Sequence, residues 1–422
     1  MRRSPILTLF FDVVRQLGVL VFVKASGLVT TLVLSRALGV AGLGAWAGIS
    51  AAAAMIAVVG GLGLYQAIIQ FYPQADSDPD RGGMLWSASL AVLGTSAALA
   101  VLGLALSAAL RALGQVEFGM DEALLSVVLA LCMALRLLLL NHFRALGKLK
   151  EYSLATVLAE CVELVACVGA ALIFRSVLAV AIAVCLAILG SSVALFAIAL
   201  RDLGPVRRAP GLLRPLLGYG IPLAGTQLAD TVLARGDRLI VGGLLGGAAT
   251  GIYAASYALV SIPSVLSSAV TTVLFPRLAA KFWSSADARR ARMVSLAAYA
   301  GCSTALLVAL TLCSRPLLSL LLDIIPPPDV NVPLLFFLTG AGVCLFGAAR
   351  ILSVDLFVSR RTARAAVVWA SIAALNVAMN LALVPSSGLL GAGLANFLSY
   401  LAFLLAILVY VKRPRRRREA EH

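Results

Sequence analysis

Residues 218–264, GYGIPLAGTQLADTVLARGDRLIVGGLLGGAATGIYAASYALVSIPS, hold two apolar runs joined by a small-residue turn that carries no charge. At a rise of about 1.5 Å per residue, each run is long enough to cross a ~30 Å hydrocarbon layer as a helix. The first run also carries Asp230, Arg235, Asp237 and Arg238. Charges at that depth are costly unless they pair, face a wet cavity or sit near a membrane surface, so this hairpin decides the fold class and marks where function should lie.

The rest of the chain has the same character. Of 422 residues, 61% are hydrophobic and only 13% charged, and the mean hydropathy is +1.02. A water-soluble domain of that composition would expose apolar patches too large to stay monomeric. With Gly, Pro and charge as punctuation, apolar length predicts spans near 13–35, 43–69, 84–110, 122–143, 152–174 and 177–200. A second set follows near 215–242, 249–275, 293–322, 332–357, 362–385 and 388–411, the ninth span interrupted by Pro316 and by Pro326 to Pro328. The expected fold is an all-α integral membrane protein with twelve transmembrane helices in two pseudo-symmetric six-helix bundles. Residues 1–200 would form one lobe, 201–214 (RDLGPVRRAPGLLR) a basic linker, 215–411 the second lobe and 412–422 a basic tail.

The net charge of +15 invites a nucleic-acid reading, but Lys and Arg are spread along the span edges, and the densest run, KRPRRRR at 412–418, follows the last span. Anionic lipid headgroups and cytoplasmic retention account for it without nucleic acid. The loops after the second, fourth, sixth, eighth and tenth spans and both ends collect most of the basic residues, whereas the opposite side has only Arg36, Arg111, Arg175 and Arg315. The positive-inside rule then puts both termini in the cytoplasm. The N-terminus lacks a small-residue cleavage pattern, so the first span is expected to remain. Residues 276–292, alternating basic and apolar groups around Trp283, read as an amphipathic helix on the membrane surface or a solvated loop. Seven cysteines lie within apolar runs as small buried hydrophobes, and neither they nor His142 and His422 show metal-ligand spacing. No catalytic group, metal or cofactor is expected.

The two halves are related. A shift of 207 places LGVAGLGAWA (38–47) on LGGAATGIYA (245–254). A shift of 214 takes Arg136 and Phe143 to Arg350 and Phe357, and one of 212 takes LAVAIA (178–183) to LGAGLA (390–395). Six-span repeats share their orientation in the membrane, with a substrate site expected between them. A duplication kept only for packing is the alternative.

YGIPL (219–223), Asp237-Arg238, Leu245-Gly246, Gly251, Tyr253, Tyr257 and Phe275-Pro276-Arg277-Leu278, with Leu34, Arg36, Leu38, Gly39 and Gly44, resemble the polysaccharide-transporter branch of the multidrug/oligosaccharidyl-lipid/polysaccharide exporter superfamily. Gly243 and Ser256 depart from the usual pattern, in which a basic residue and Ala are common. The resemblance implies a Wzx-like flippase in a bacterial inner membrane. Such a protein moves an undecaprenyl-pyrophosphate-linked oligosaccharide from the cytoplasmic to the periplasmic leaflet by alternating access. Its implied partners are the lipid-linked glycan and membrane lipid, with a polysaccharide polymerase and glycosyltransferases as further candidates. Within the superfamily, a cation-coupled multidrug exporter is the other transport reading, and a non-transporting membrane assembly subunit is a third.

Five basic residues, Lys24, Arg136, Arg235, Arg238 and Arg350, and five acidic ones, Glu160, Glu163, Asp230, Asp237 and Asp355, fall within spans, so no net cationic cavity follows. Lys24 and Asp230 stand near mid-depth of the first and seventh spans, which the repeat relates. Either Lys24 binds the pyrophosphate while Asp230 restrains it when the site is empty, or the two form a permanent neutralising pair. Glu160 and Glu163 share a helix face and pack against Arg136, or one of them couples transport to a cation. Arg235 and Arg238 receive the headgroup as it leaves, or anchor the helix end with Asp237. Pro222, among Gly218, Gly220 and Gly225, makes the seventh helix a hinge or a static kink.

Overall fold

The computed structural model describes residues 5–75, 77–112, 120–203, 211, 213–279, 285–328, 330–358 and 362–412. A backbone facing lipid must satisfy its own N–H and C=O groups, so each apolar run closes into a helix. The first half holds α1 (Pro5–Gly61), the short α2 (Leu64–Phe71), α3 (Asp78–Ala112), α4 (Met120–Ala145), α5 (Leu149–Phe174) and α6 (Val177–Leu203). The second holds α7 (Leu213–Val260), α8 (Pro263–Ala279), α9 (Ser285–Leu312), the single turn α10 (Ser314–Pro316), α11 (Val332–Val358) and α12 (Thr362–Lys412). Among the described residues, nine helices are long and apolar enough to cross a membrane. Three of them, 48, 48 and 44 residues long, break at a glycine and so supply two spans each, the second of α7 being continued by α8 (Pro263–Ala279), which gives the twelve expected.

Each of those three helices breaks at a single glycine. Gly39 (φ 71, ψ 179) folds α1 back on itself, Gly246 (φ 84, ψ 178) does the same in α7, and Gly388 (φ 58, ψ −137) in α12. The first two lie in a region of backbone space open essentially to glycine alone. Sequence reading leaves loops of seven, six and two residues between these spans (36–42, 243–248 and 386–387); one residue suffices where it can take that conformation. The ninth span is shorter than the expected 293–322: α9 ends at Leu312, and Leu317–Leu321 form a π-helical turn after Pro316. Arg36 donates to the Leu320 carbonyl at 3.1 Å, satisfying one acceptor of that turn. Helical geometry runs through Pro222, so the backbone break in α7 is at Gly246. Most of the linker (204–210 and 212), the centre of the surface segment (280–284, with Trp283) and the tail from 413 lie outside the described residues.

By backbone packing the chain divides into two compact units, Met1–Ala255 with Leu318–Ile325, and Ser256–Leu317 with Pro326–His422. In the first, α4 is central and packs on α1, α2, α3, α5 and α6. Its Ala130, Leu138, Leu139 and His142 are almost wholly buried. The ring of His142 meets Tyr72 edge-on, with Nδ1 3.2 Å from the phenol oxygen. In the second unit α11 packs on α8, α9 and α12. Phe346 lies between Tyr400 and Phe403, at 4.8 and 5.6 Å between ring centres, and Trp369 stands edge-on to Phe403 at 4.6 Å. Within lipid such packing, with interhelical hydrogen bonds, replaces the hydrophobic effect as the force between helices. Accordingly Asn376 donates to Asn396 at 2.9 Å inside α12, both side chains buried, and Tyr299 of α9 donates to the Cys344 carbonyl of α11 at 3.1 Å. The cysteines are all free thiols; Cys132, Cys167 and Cys185 are buried as expected, but Cys302 and Cys313 are exposed on the outer surface of α9 and just beyond it, where a small apolar side chain is equally at ease in lipid.

Candidate functional site

Within the first unit, α7 runs against the second length of α1, and of the residues singled out from the sequence Arg235 and Gly220 make contact across the seam between them. Five contacts mark it. At the hairpin turns the Gly44 and Gly247 backbones touch. Further along, Arg235 Nη1 reaches the Ser50 carbonyl at 3.4 Å. Gly236 leaves room for Met55, Gln227 donates to the Tyr65 hydroxyl, and Gly220 meets Leu62 and Gly63 backbone to backbone. Gly63 has φ 64, which with Leu62 ends α1 and starts α2, so the close approach to Gly220 depends on a bare Cα on both sides.

A small recess, with room for little more than one water molecule, opens beside the Tyr65–Gln227 bond, walled by Ala57, Val58, Leu137 and Leu138. Its polar side chains are Tyr65 and Gln227. The neighbouring Gln66 amide donates weakly to Tyr65 at 3.3 Å, and Arg144, Tyr152 and Asp230 are within electrostatic reach of the Tyr65 hydroxyl. The seam thus combines a phenol, amides and charges of both signs.

Lys24 on α1 is exposed and Asp230 on α7 half-buried, and each has an interaction partner. Arg136 of α4 forms an ion pair with Glu163 of α5, at side-chain exposures of 16% and 26%. Glu160, one turn earlier, accepts a hydrogen bond from Ser26 of α1. Asp237 is 1% exposed and accepts from the Tyr253 hydroxyl at 2.6 Å and from the Arg238 backbone N–H at 2.8 Å. Those two donors hold its carboxylate at the hairpin of α7. Arg238 itself is half-buried. Arg350, in the second unit, stacks its guanidinium over Phe346 at 5.7 Å, a cation–π contact along one helix face. The Asp355 side chain lies outside the described residues.

Sequence reasoning did not find Ser26, Tyr65, Gln227 or Tyr253 as contact residues. The bonds of the first three join different helices more than 130 positions apart, and nothing local announces them. Tyr253 was visible: it belongs to the repeated motif LGGAATGIYA, and its partner Asp237 is in the same hairpin.

Residues 14–282 match the family described as polysaccharide biosynthesis protein, well over half of the chain. The chain belongs to that family. No curated protein sequence matches it. Solved structures share the fold of this polysaccharide biosynthesis family member at low identity. An inward-facing multidrug resistance MATE transporter of the MOP superfamily is 15% identical with a TM-score of 0.70, over 95% of this chain and 97% of that one. The lipid II flippase MurJ in an inward closed conformation is 13% identical with a TM-score of 0.72, over 93% and 86%. A MOP superfamily transporter from Pyrococcus furiosus is 15% identical with a TM-score of 0.59, over 96% of each chain. The family member is therefore a multi-pass membrane protein with the fold of those MOP superfamily structures.

Proposed function

We propose that the protein is a flippase that carries an undecaprenyl-pyrophosphate-linked oligosaccharide from the cytoplasmic to the periplasmic leaflet by alternating access. The observation that supports this most is the seam itself: the second length of α1, with α2, meets the first length of α7 along a line that carries Tyr65, Gln227 and Arg235, with Asp230 in electrostatic reach of Tyr65, in a chain of the polysaccharide biosynthesis family. Residues 1–200 and 215–411 would be the halves that rock, with both termini in the cytoplasm of a bacterial inner membrane. A glycan needs such a seam more than its lipid does, because hydroxyls stripped of water without partners cost several kcal/mol each.

Lys24, Arg235, Arg238, Arg136 and Arg350 are the anion-binding candidates. Of these, Arg235 is aimed across the seam, whereas Arg136 is occupied by Glu163 and Arg350 by Phe346. Asp230 is the group that restrains Lys24 when no substrate is bound. Glu160 and Glu163 are the coupling candidates, and Asp237, held by two donors, suits gating of the hairpin better than substrate contact. Gly220 and Pro222 are the bending point of α7. An inside-negative potential of ~100 mV is worth about 2.3 kcal/mol per charge, so a pyrophosphate with about two negative charges moves outward downhill by up to ~4.6 kcal/mol. None of this calls for a covalent step, and the protein acts as a carrier.

Deleting the gene should cause lipid-linked oligosaccharide to accumulate in the cytoplasmic leaflet, and the wild-type chain should clear it. Lys24→Gln and Asp230→Asn should each reduce clearance. If the exchanged pair Lys24→Asp with Asp230→Lys restores full transport, the two residues are a neutralising pair and Lys24 does not bind substrate. No accumulation in the deletion strain would sink the flippase reading altogether.

A further inference from the structure

The repeat shift of 207 relates Gly39 to Gly246, Val40 to Gly247 and Gly44 to Gly251. The structure repeats those relations in space. Gly39 and Gly246 break their helices with nearly the same backbone angles. A Cβ added to Gly44 would overlap the carbonyl oxygen of Gly247, and one added to Gly251 would overlap the carbonyl oxygen of Val40. Since Val40 and Gly247 are themselves repeat partners, the two contacts are images of each other about an approximate two-fold axis between the hairpins. Gly44 and Gly251 are buried, while residues 243–248 are exposed above them, so the contact closes the seam just beneath the turns.

Where a Cβ would meet an oxygen, the hydrogen that replaces it on glycine points at that oxygen. Two Cα–H to carbonyl contacts therefore hold the hairpins, each a weak bond, with small residues allowing the backbones to meet. The other end of the seam is closed at Gly63 and Gly220, but without this symmetry, because position 270, the repeat partner of Gly63, is Val.

We infer that Gly44, Gly247, Gly251 and the Val40 carbonyl form a two-fold backbone clasp that gates the seam on the hairpin-turn face. The clasp parts whenever the seam opens there, and any side chain at position 44 or 251 wedges it open. Its purpose rests on the transport reading above; its geometry does not. Gly48 and Gly243, in the same hairpins, have open space where a Cβ would go and serve as controls.

The test uses the full chain in nanodiscs, with native cysteines replaced and spin labels carried by Ala41→Cys and Ala248→Cys. Gly44→Ala and Gly251→Ala should each add a longer-distance population, to the same degree, that is absent from Gly48→Ala and Gly243→Ala. An unchanged distribution in folded Gly44→Ala and Gly251→Ala, or an equal change in the controls, overturns the clasp. Should the wedged variants fail to fold, a reducible cross-link between the thiols introduced by Ala41→Cys and Ala248→Cys, in the chain with all its glycines, decides. It should abolish clearance of lipid-linked oligosaccharide until reduced. Full clearance in the cross-linked protein overturns the gate. Distances that shift as expected in a protein that clears nothing would leave the clasp standing and remove the flippase reading.

Discussion

At the scale of single residues, the described ion pair between Arg136 and Glu163 and the buried carboxylate of Asp237 are where substitutions should be felt most. Asp237 draws on two donors, and removing one strips a charged acceptor of a bond formed out of water. Tyr253→Phe should therefore destabilise the protein by roughly 1.5–3 kcal/mol, seen as a lower unfolding temperature in detergent. A melting point equal to wild type would mean that other donors supply the Asp237 carboxylate. For Arg136 and Glu163, each single replacement by Leu should cost more than the double replacement, since the single changes leave a half-buried charge behind. Equal costs for the singles and the double would show that the pair contributes little. The Arg136–Glu163 pairing was legible from the sequence, because the two helices are consecutive and the carboxylates share a face. The bond from Ser26 to Glu160 was not, since it joins residues 134 positions apart through a packing that only the folded chain defines.

At the scale of elements, the hairpins at Gly39 and Gly246 carry a conformational requirement that ordinary residues meet only under strain. Gly39→Ala and Gly246→Ala should each cost about 1–3 kcal/mol through backbone strain alone, even though a Cβ at either site meets no neighbour. Hydrogen exchange at the flanking amides would detect the loosening, and unchanged protection would refute it. The turn between α5 and α6 is the reverse case. Arg175 holds a left-handed conformation (φ 48, ψ 38) that a side chain disfavours, and Arg175→Gly should raise stability by about 1 kcal/mol in a melting experiment. Its repeat partner lies beside Gly388, where the second half turns between its last two helices, so the halves share turn positions as well as motifs. Span positions were readable because apolar length and charge punctuate them. Turn length was not, because loop and single-glycine hinge have the same apolar composition here.

At the scale of the whole molecule, twelve crossings and a repeated half followed from span length, charge asymmetry and three nearly equal offsets, each a property that averages over many residues. The seam was not legible in this form: sequence marked the first and seventh spans, whereas the partners along it, Ser50 with Arg235 and Tyr65 with Gln227, join the second span to the seventh and depend on how two long helices lie against each other. If the cargo is the lipid pyrophosphate proposed above, its outward movement by the protein reconstituted in vesicles should slow several-fold when the membrane potential is collapsed. A rate independent of potential would mean that protein charges travel with the substrate and cancel its own. The contact between the hairpin turns has a different character. It is made of carbonyl oxygens and Cα hydrogens, with nothing that ionises and no counter-ions to displace. Its strength should therefore not vary with acidity or with salt, and whatever energises the cycle must act on the ionisable side chains deeper in the bundle.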